Sequence, residues 1–293
     1  MNENEQLADR FEEHRPRLRG LAYRMLGSLA EADDAVQEAW LRLSQSGSGV
    51  ENLGGWLTTV VAHVCLDMLR SRKVRREEPL EVHMPDMLIS LDDGPGPEEE
   101  ALLADSVGLA LLVVLDTLTP AERLAFVLHD MFDLPFEQIA PIVGRAPAAT
   151  RQLASRARHR VRDAAPVPDP DLALQREVVG AFFAAARGGD LDALVTVLDP
   201  EVVLRADAGP ARPAASAALR GPAAVAAQAM TFANPAALVR PALVNGAAGV
   251  VITVGRRLIS VMGFTVVNGK IAEIDAITDP ERLRQLDLAI PGD

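Results

Sequence analysis

The chain has 293 residues, 49% hydrophobic, 24% charged and only 4% aromatic. That composition suits two or three compact units with cores of Ala, Leu and Val, and it excludes a single small module or wholesale disorder. The net charge of -12 would argue against a nucleic-acid binder, but ten of the twelve excess carboxylates fall within residues 77–105, which hold no Lys or Arg. Elsewhere the chain is nearly neutral, with dense basic clusters at Arg70, Arg72, Lys73, Arg75 and Arg76 and again between Arg145 and Arg162, so local fields decide what it binds. The longest run without a polar side chain in the middle of the chain, Val107 to Leu115, is too short for a membrane span, and the acidic start MNENEQLADRFEEH lacks the features of a signal peptide. One cysteine, Cys65, and no Cys/His cluster with zinc spacing complete the expectation of a cytoplasmic protein without metal or cofactor and with no membrane partner.

Leu18, Leu21, Ala22, Met25 and Leu26 line one face of a helix. A second helix carries Val36, Ala39, Trp40 and Leu43 inward and leaves Asp33, Asp34, Gln37 and Glu38 on other faces. SQSGSGVENLGG reads as a loop, and a third helix from about Gly55 to Lys73 ends in the first basic cluster. An all-helical domain over residues 1–76 is expected. Residues 77–105, with four prolines and ten carboxylates, read as an extended acidic linker.

Helical periodicity resumes at Leu102. Thr119-Pro120 starts a helix, PFEQIAPIV makes a short one, Gly144 ends it in a left-handed turn, and an Arg-rich helix begins at Pro147 with Ala149, Leu153, Ala157 and Val161 inward. Helix, glycine turn and Arg-rich helix form a helix-turn-helix pattern over residues 106–163. AAPVPDPD, at 164–171, is a second linker. From 172 to 293 two helices around Gly188-Gly189 precede the strands VVLRAD, GVVITV, RRLISVMGFTVV and KIAEIDAI, with a hairpin at Asn268-Gly269. An α+β domain with helices on one face of an antiparallel sheet is expected.

RLRGLAYRMLGSLAEADDAVQEAWLRLS (17–44), WLTTVVAHVCLDMLRSRKVRR (56–76) and residues 119–162 resemble, in order, the conserved blocks of an extracytoplasmic-function (ECF) sigma factor. The rest is similar to the C-terminal SnoaL-like (NTF2-like) extension of one subgroup. The resemblance implies two all-α sigma domains, the second a helix-turn-helix, followed by an α+β cone. It implies that the chain binds bacterial RNA polymerase core, through the clamp helices of the largest subunit and the flap of the second largest, and directs it to promoter DNA. Asp33, Asp34, Gln37 and Glu38 would dock on the basic clamp helices through charge-assisted hydrogen bonds. Trp56, His63, Arg70, Arg72, Lys73, Arg75 and Arg76 would hold and melt the -10 element, since base unstacking needs aromatics and cations. His63 stands where many relatives carry Asn. Arg151, Gln152 and Ser155 would read -35 bases, and Arg156, Arg158 and Arg160 would contact phosphates.

The extension would regulate the sigma domains, in response to a small-molecule or peptide ligand, with Arg205, Asp207 and Asp275 as the candidate regulatory pocket. HMPDM at 83–87 replaces a Trp-Leu-Pro-Glu-Pro motif of extended relatives, and DPERL at 279–283 resembles their closing motif. The fold type also hosts cyclases and isomerases, yet residues 172–293 contain no His, Cys, Tyr or Trp, so no catalytic residue is expected. Two alternatives stay open at this point: a ligand-responsive helix-turn-helix regulator that binds DNA without polymerase, and a cyclase- or isomerase-type enzyme fused to a DNA-binding region.

Overall fold

The computed structural model describes residues 3–46, 52–75, 84–91, 108–212 and 215–286. The chain divides into a unit of residues 1–79 with 111–165 and a unit of 80–110 with 166–293.

The first unit is helical: α1 (Glu3–Leu26), α2 (Leu29–Ser46), α3 (Leu53–Arg75), α4 (Leu109–Asp116) from residue 111 on, α5 (Pro120–Phe126), α6 (Phe136–Val143) and α7 (Pro147–Ala164), with a π-helical turn at Val127–Met131. The stripes expected from the sequence are buried, Leu18, Leu21, Ala22, Met25 and Leu26 on α1 and Val36, Ala39 and Leu43 on α2. At the start of α5, Thr119 Oγ1 accepts from the Glu122 amide while the Glu122 carboxylate accepts from the Thr119 amide, a complete capping box followed by Pro120. Gly144 (φ 74°) closes α6 as expected, its amide and that of Arg145 both donating to the Ala140 carbonyl. On α7 the buried line differs from the expected one. Thr150, Ala154 and Ala157 are buried, whereas Ala149, Leu153 and Val161 are half-buried. Steps of four overshoot a 3.6-residue turn, so a line drawn that way winds off the buried face.

The helical core takes in a cation. Arg123 is 1% exposed. Its Nε donates to the Arg24 carbonyl at 3.1 Å and its Nη1 to Asp116 Oδ1 at 3.2 Å. Burial lowers its pKa to about 10, against the opposing pull of Asp116. The buried Cys65 thiol is pushed up by desolvation, which leaves it a packing residue. Arg17 and Arg24, both on α1, lie over the Phe132 ring at 5.8 and 5.2 Å from its centroid, so the segments on either side of residues 80–110 pack against each other.

The second unit is a seven-stranded sheet in the order β1-β4-β5-β6-β7-β2-β3. Its strands are β1 (Ile89–Leu91), β2 (Leu198–Asp207), β3 (Ala217–Arg220), β4 (Ala237–Val244), β5 (Ala247–Val254), β6 (Arg257–Val267) and β7 (Lys270–Ile277). One face packs on α8 (Leu172–Gly188), α9 (Leu191–Val197) and α10 (Pro222–Thr231), with Phe182, Leu194, Val225, Phe264 and Ile274 among its buried side chains. The opposite face carries a second cluster built on Val244, Val251, Val261 and Ile277, closed by Leu283 of α11 (Pro280–Gln285).

The acidic segment, expected as an extended linker, supplies part of this sheet. Ile89–Leu91 pairs antiparallel with β4, and Met84 and Met87 are buried in the second cluster together with Leu109. Gly263 makes room: a Cβ there would come within 3.2 Å of Leu109 Cδ2. The described piece, 84–91, has a single carboxylate, Asp86, so little like-charge repulsion opposes its docking. The second linker is also held, because the Asp169 carboxylate accepts from the amides of Asn268 and Gly269 in the expected hairpin.

Candidate functional sites

On α2, Asp33, Asp34 and Gln37 are exposed and Glu38 is half-buried. Asp33 receives a forked pair from Arg19, at 2.6 and 3.1 Å, and Glu38 receives Arg42 at 2.8 Å. Leu41, 46% exposed, follows Asp34 by seven residues and Gln37 by four, which places it amid these polar groups. The sequence reading missed it because one apolar residue off the buried stripe carries no pattern. Beneath them Trp40 is fixed against Phe11, ring centroids 5.1 Å apart.

Trp56, His63 and Arg70 follow one another at seven-residue steps along α3 and none is buried, so they make one row on its accessible side. His63 Nδ1 lies 2.9 Å from the Thr59 carbonyl. A carbonyl only accepts, so this hydrogen bond puts the proton on Nδ1 and leaves Nε2 an acceptor at the surface. Arg72 turns inward instead: it ion-pairs with Glu31 and donates through Nη1 to the Leu26 carbonyl at 2.9 Å. Of Lys73 and Arg75 only the backbone is described, and Arg76 lies outside the described residues.

Arg151 and Gln152 are exposed in the first turns of α7, and Ser155 is half-buried. The Arg151 guanidinium stacks over Phe136 of α6, 5.2 Å from the ring centroid. Ala146, at the N-cap of α7, supplies no side-chain cap. Arg156, Arg158 and Arg160 are exposed, but each has an intramolecular partner: Glu122 Oε1 lies 3.5 Å from Arg156 Nε, Glu122 Oε2 lies 3.2 Å from Arg160 Nη1, and Asp130 receives Arg158.

In the sheet unit, Arg205 and Asp275 meet. Arg205 Nε donates to Asp275 Oδ1 and Nη2 to Glu273 Oε2, both at 2.7 Å. Burial raises the pKa of both carboxyls in spite of Arg205. Burial alone would lower the guanidinium, but the two acids more than offset it and hold it above its ordinary range. Asp207 shares their sheet face, opposite the helices, but turns to Arg282, whose Nη1 donates to it at 2.6 Å. Nη2 of Arg282 in turn donates to Asp86 Oδ1 at 2.8 Å and to the Pro85 carbonyl at 3.1 Å. Asn245 adds a second clasp, its amide donating to the Leu88 carbonyl at 2.8 Å and its Oδ1 accepting from the Leu88 amide at 3.1 Å. Arg282 was not singled out from sequence: its role depends on a strand and a segment distant along the chain. Among the described residues no His/Cys/Asp/Glu group is arranged to hold a metal, and no helix is long and apolar enough to cross a membrane.

The model of sigma-70 region 2 matches residues 10–75, and that of sigma-70 region 4 matches residues 108–161. Over the full length of both chains, this chain is 35% identical to a Mycobacterium tuberculosis protein described as a probable ECF RNA polymerase sigma factor, SigI. It is 42% identical to the M. tuberculosis ECF RNA polymerase sigma factor SigJ over 213 residues, 72% of this chain and 68% of that one. The crystal structure of M. tuberculosis SigJ matches with a TM-score of 0.75 and 33% identity, covering 94% of this chain and 98% of that one.

Proposed function

Because the chain belongs to the ECF RNA polymerase sigma factors, binding core polymerase and starting transcription at promoters, we propose that each of its surfaces takes a separate part in that task. The α2 face of Asp33, Asp34, Gln37 and Glu38 docks on the polymerase clamp helices, with Leu41 as an apolar anchor among charge-assisted contacts. The row of Trp56, His63 and Arg70 takes up unstacked -10 bases: the indole stacks, His63 Nε2 accepts a hydrogen bond and Arg70 with the following basic residues holds the backbone. Arg151, Gln152 and Ser155 read -35 base edges while Arg156, Arg158 and Arg160 lie on phosphates. The single observation that carries this reading is the row on α3, where an aromatic, an imidazole and a cation share one accessible face.

Elements centred near -10 and -35 are about 25 base pairs apart, roughly 85 Å at 3.4 Å per step. The two helical segments pack as one unit through Arg17, Arg24, Arg123 and Phe132. We infer that they separate when the promoter is engaged. The C-terminal domain regulates that step through residues 84–91, which it holds by β1, Asn245 and Arg282. It does so without catalysis, having no imidazole, thiol, phenol or indole among residues 172–293, and the protein acts in the cytoplasm beside polymerase and DNA.

Permanganate footprinting of the reconstituted holoenzyme tests the reading. Trp56→Ala is expected to retain core binding and lose promoter melting at least tenfold; unchanged melting would mean that Trp56 does not stack on the -10 bases.

A further inference from the structure

Arg156, Arg158 and Arg160 of α7 are held by carboxylates from outside their own helix. Arg156 and Arg160 are one turn apart on one flank and share the Glu122 carboxylate from the start of α5. Arg158 is displaced by about 200° around the axis from Arg156 and meets Asp130 of the π-helical turn. Gln152 and Ser155 lie between the two flanks on the outward side. The pairs are asymmetric in burial. The Glu122 side chain is 6% exposed, whereas those of Arg156 and Arg160 are 62% and 51% exposed.

Such pairs contribute little to stability at a surface, and the Glu122 carboxylate is already satisfied by the Thr119 amide and hydroxyl, which donate to Oε2 at 3.2 and 2.8 Å. What the pairs do accomplish is to fix long, rotamer-rich side chains before DNA arrives. A guanidinium carries five N–H donors, so one directed at a carboxylate leaves others for phosphate. Two cations share one carboxylate, so this flank keeps a net positive charge.

We propose that Glu122 and Asp130 are positioning residues for promoter recognition: they hold Arg156 and Arg160 on one flank of α7, and Arg158 on the other, in the orientation that meets the two phosphate walls of the major groove. The proposal rests on the reading that α7 enters that groove. Ordering these arginines in the free protein lowers the entropy lost on binding, and losing the order weakens phosphate contacts without touching a base.

The test uses full-length protein reconstituted with bacterial core polymerase and a duplex selected from a random pool by the wild-type holoenzyme. Glu122→Gln keeps an acceptor for the Thr119 amide, so the capping box survives while the charge is lost. It is expected to weaken duplex binding about five- to tenfold, to flatten the salt dependence of log K by about one contact, and to add nothing once Arg156→Ala and Arg160→Ala are both present. Asp130→Asn, which has no capping role, is expected to act in the same direction. Thr119→Ala, which removes the cap and spares the pairs, is expected to lower the thermal midpoint and leave duplex affinity unchanged well below it. Equal or tighter binding by both Glu122→Gln and Asp130→Asn, with Arg160→Ala still weakening it, would show the carboxylates to be competitors of the phosphates and overturn the proposal alone. No loss of affinity or salt slope with Arg156→Ala, Arg158→Ala and Arg160→Ala would overturn the phosphate reading and the proposal with it.

Discussion

Arg282, five residues past the last strand, donates to Asp86 of the acidic segment at 2.8 Å while its other terminal nitrogen donates to Asp207 at 2.6 Å. Positions 196 residues apart in the chain thereby meet on one guanidinium. Arg282→Ala removes both ion pairs and the bond to the Pro85 carbonyl, charge-assisted hydrogen bonds worth about 1.5–3 kcal/mol each at most. Amide exchange of residues 84–91 in the variant is expected to quicken at least tenfold while that of β5 and β6 stays slow. Equal protection in variant and wild type would mean that β1 pairing alone holds the segment.

The same release tests the regulatory reading. If residues 84–91 restrain the separation of the helical segments, Arg282→Ala and Asn245→Ala change the yield of run-off transcripts from reconstituted holoenzyme in the same direction, by about threefold or more. Opposite or absent effects would separate the clasp from activity.

Glu273 and Asp275 give the sheet unit a defined pH dependence. Burial, despite Arg205, raises both carboxyl pKa values, so the folded state binds these protons more tightly than the unfolded one. Above the raised folded values both are charged in either state and the burial cost counts against folding. As pH falls through the raised folded values toward the unfolded values of about 4, the folded state takes up the protons first and these two groups add stability. Glu273→Gln is therefore expected to be more stable than wild type at pH 7, with the difference closing toward pH 4. Denaturation followed by far-ultraviolet circular dichroism across that range checks the sign.

In the helical core, Arg123 has no room to leave. Arg123→Ala leaves the Arg24 carbonyl and Asp116 without the bonds Arg123 makes to them, together with a cavity, and is expected to cost about 3–5 kcal/mol. Arg123→Lys does not restore the forked geometry and is expected to recover less than half of that. The emission of Trp40 and Trp56, both in this unit, reports the transition.

On α2, Leu41→Asp is expected to weaken core binding about tenfold with no change in thermal midpoint, since the side chain is nearly half exposed in the free protein. A fall in midpoint instead would make Leu41 a packing residue.

Much of this architecture was legible in local chemistry. The Thr119–Glu122 cap, Gly144 and the Asn268-Gly269 hairpin each follow from residue types with narrow conformational preferences. β4 was not read, because Pro241 interrupts it; that proline lies beyond the three residues that β1 pairs, on a stretch of strand edge that no other described strand pairs, where a missing amide costs no ladder bond. Asn245-Gly246, both at positive φ, was the unused hairpin signal. Sequence brought the Arg205–Asp275 pair into one group but assigned Asp207 to it; the strand places Asp207 on the same face while Arg282 claims it. The docking of residues 84–91 had no local signature: a three-residue strand, two methionines and one aspartate acquire meaning only beside β4 and Arg282.

The most direct measurement of the central claim is gel filtration of the full chain with bacterial RNA polymerase core, followed by run-off transcription. Wild type is predicted to co-elute and to give promoter-specific transcripts, and reversing the charges at Asp33, Asp34 and Glu38 is predicted to abolish co-elution while the circular dichroism spectrum stays unchanged. Co-elution that survives this reversal would contradict the assigned docking face, and no association of the wild-type chain with core would contradict the account as a whole.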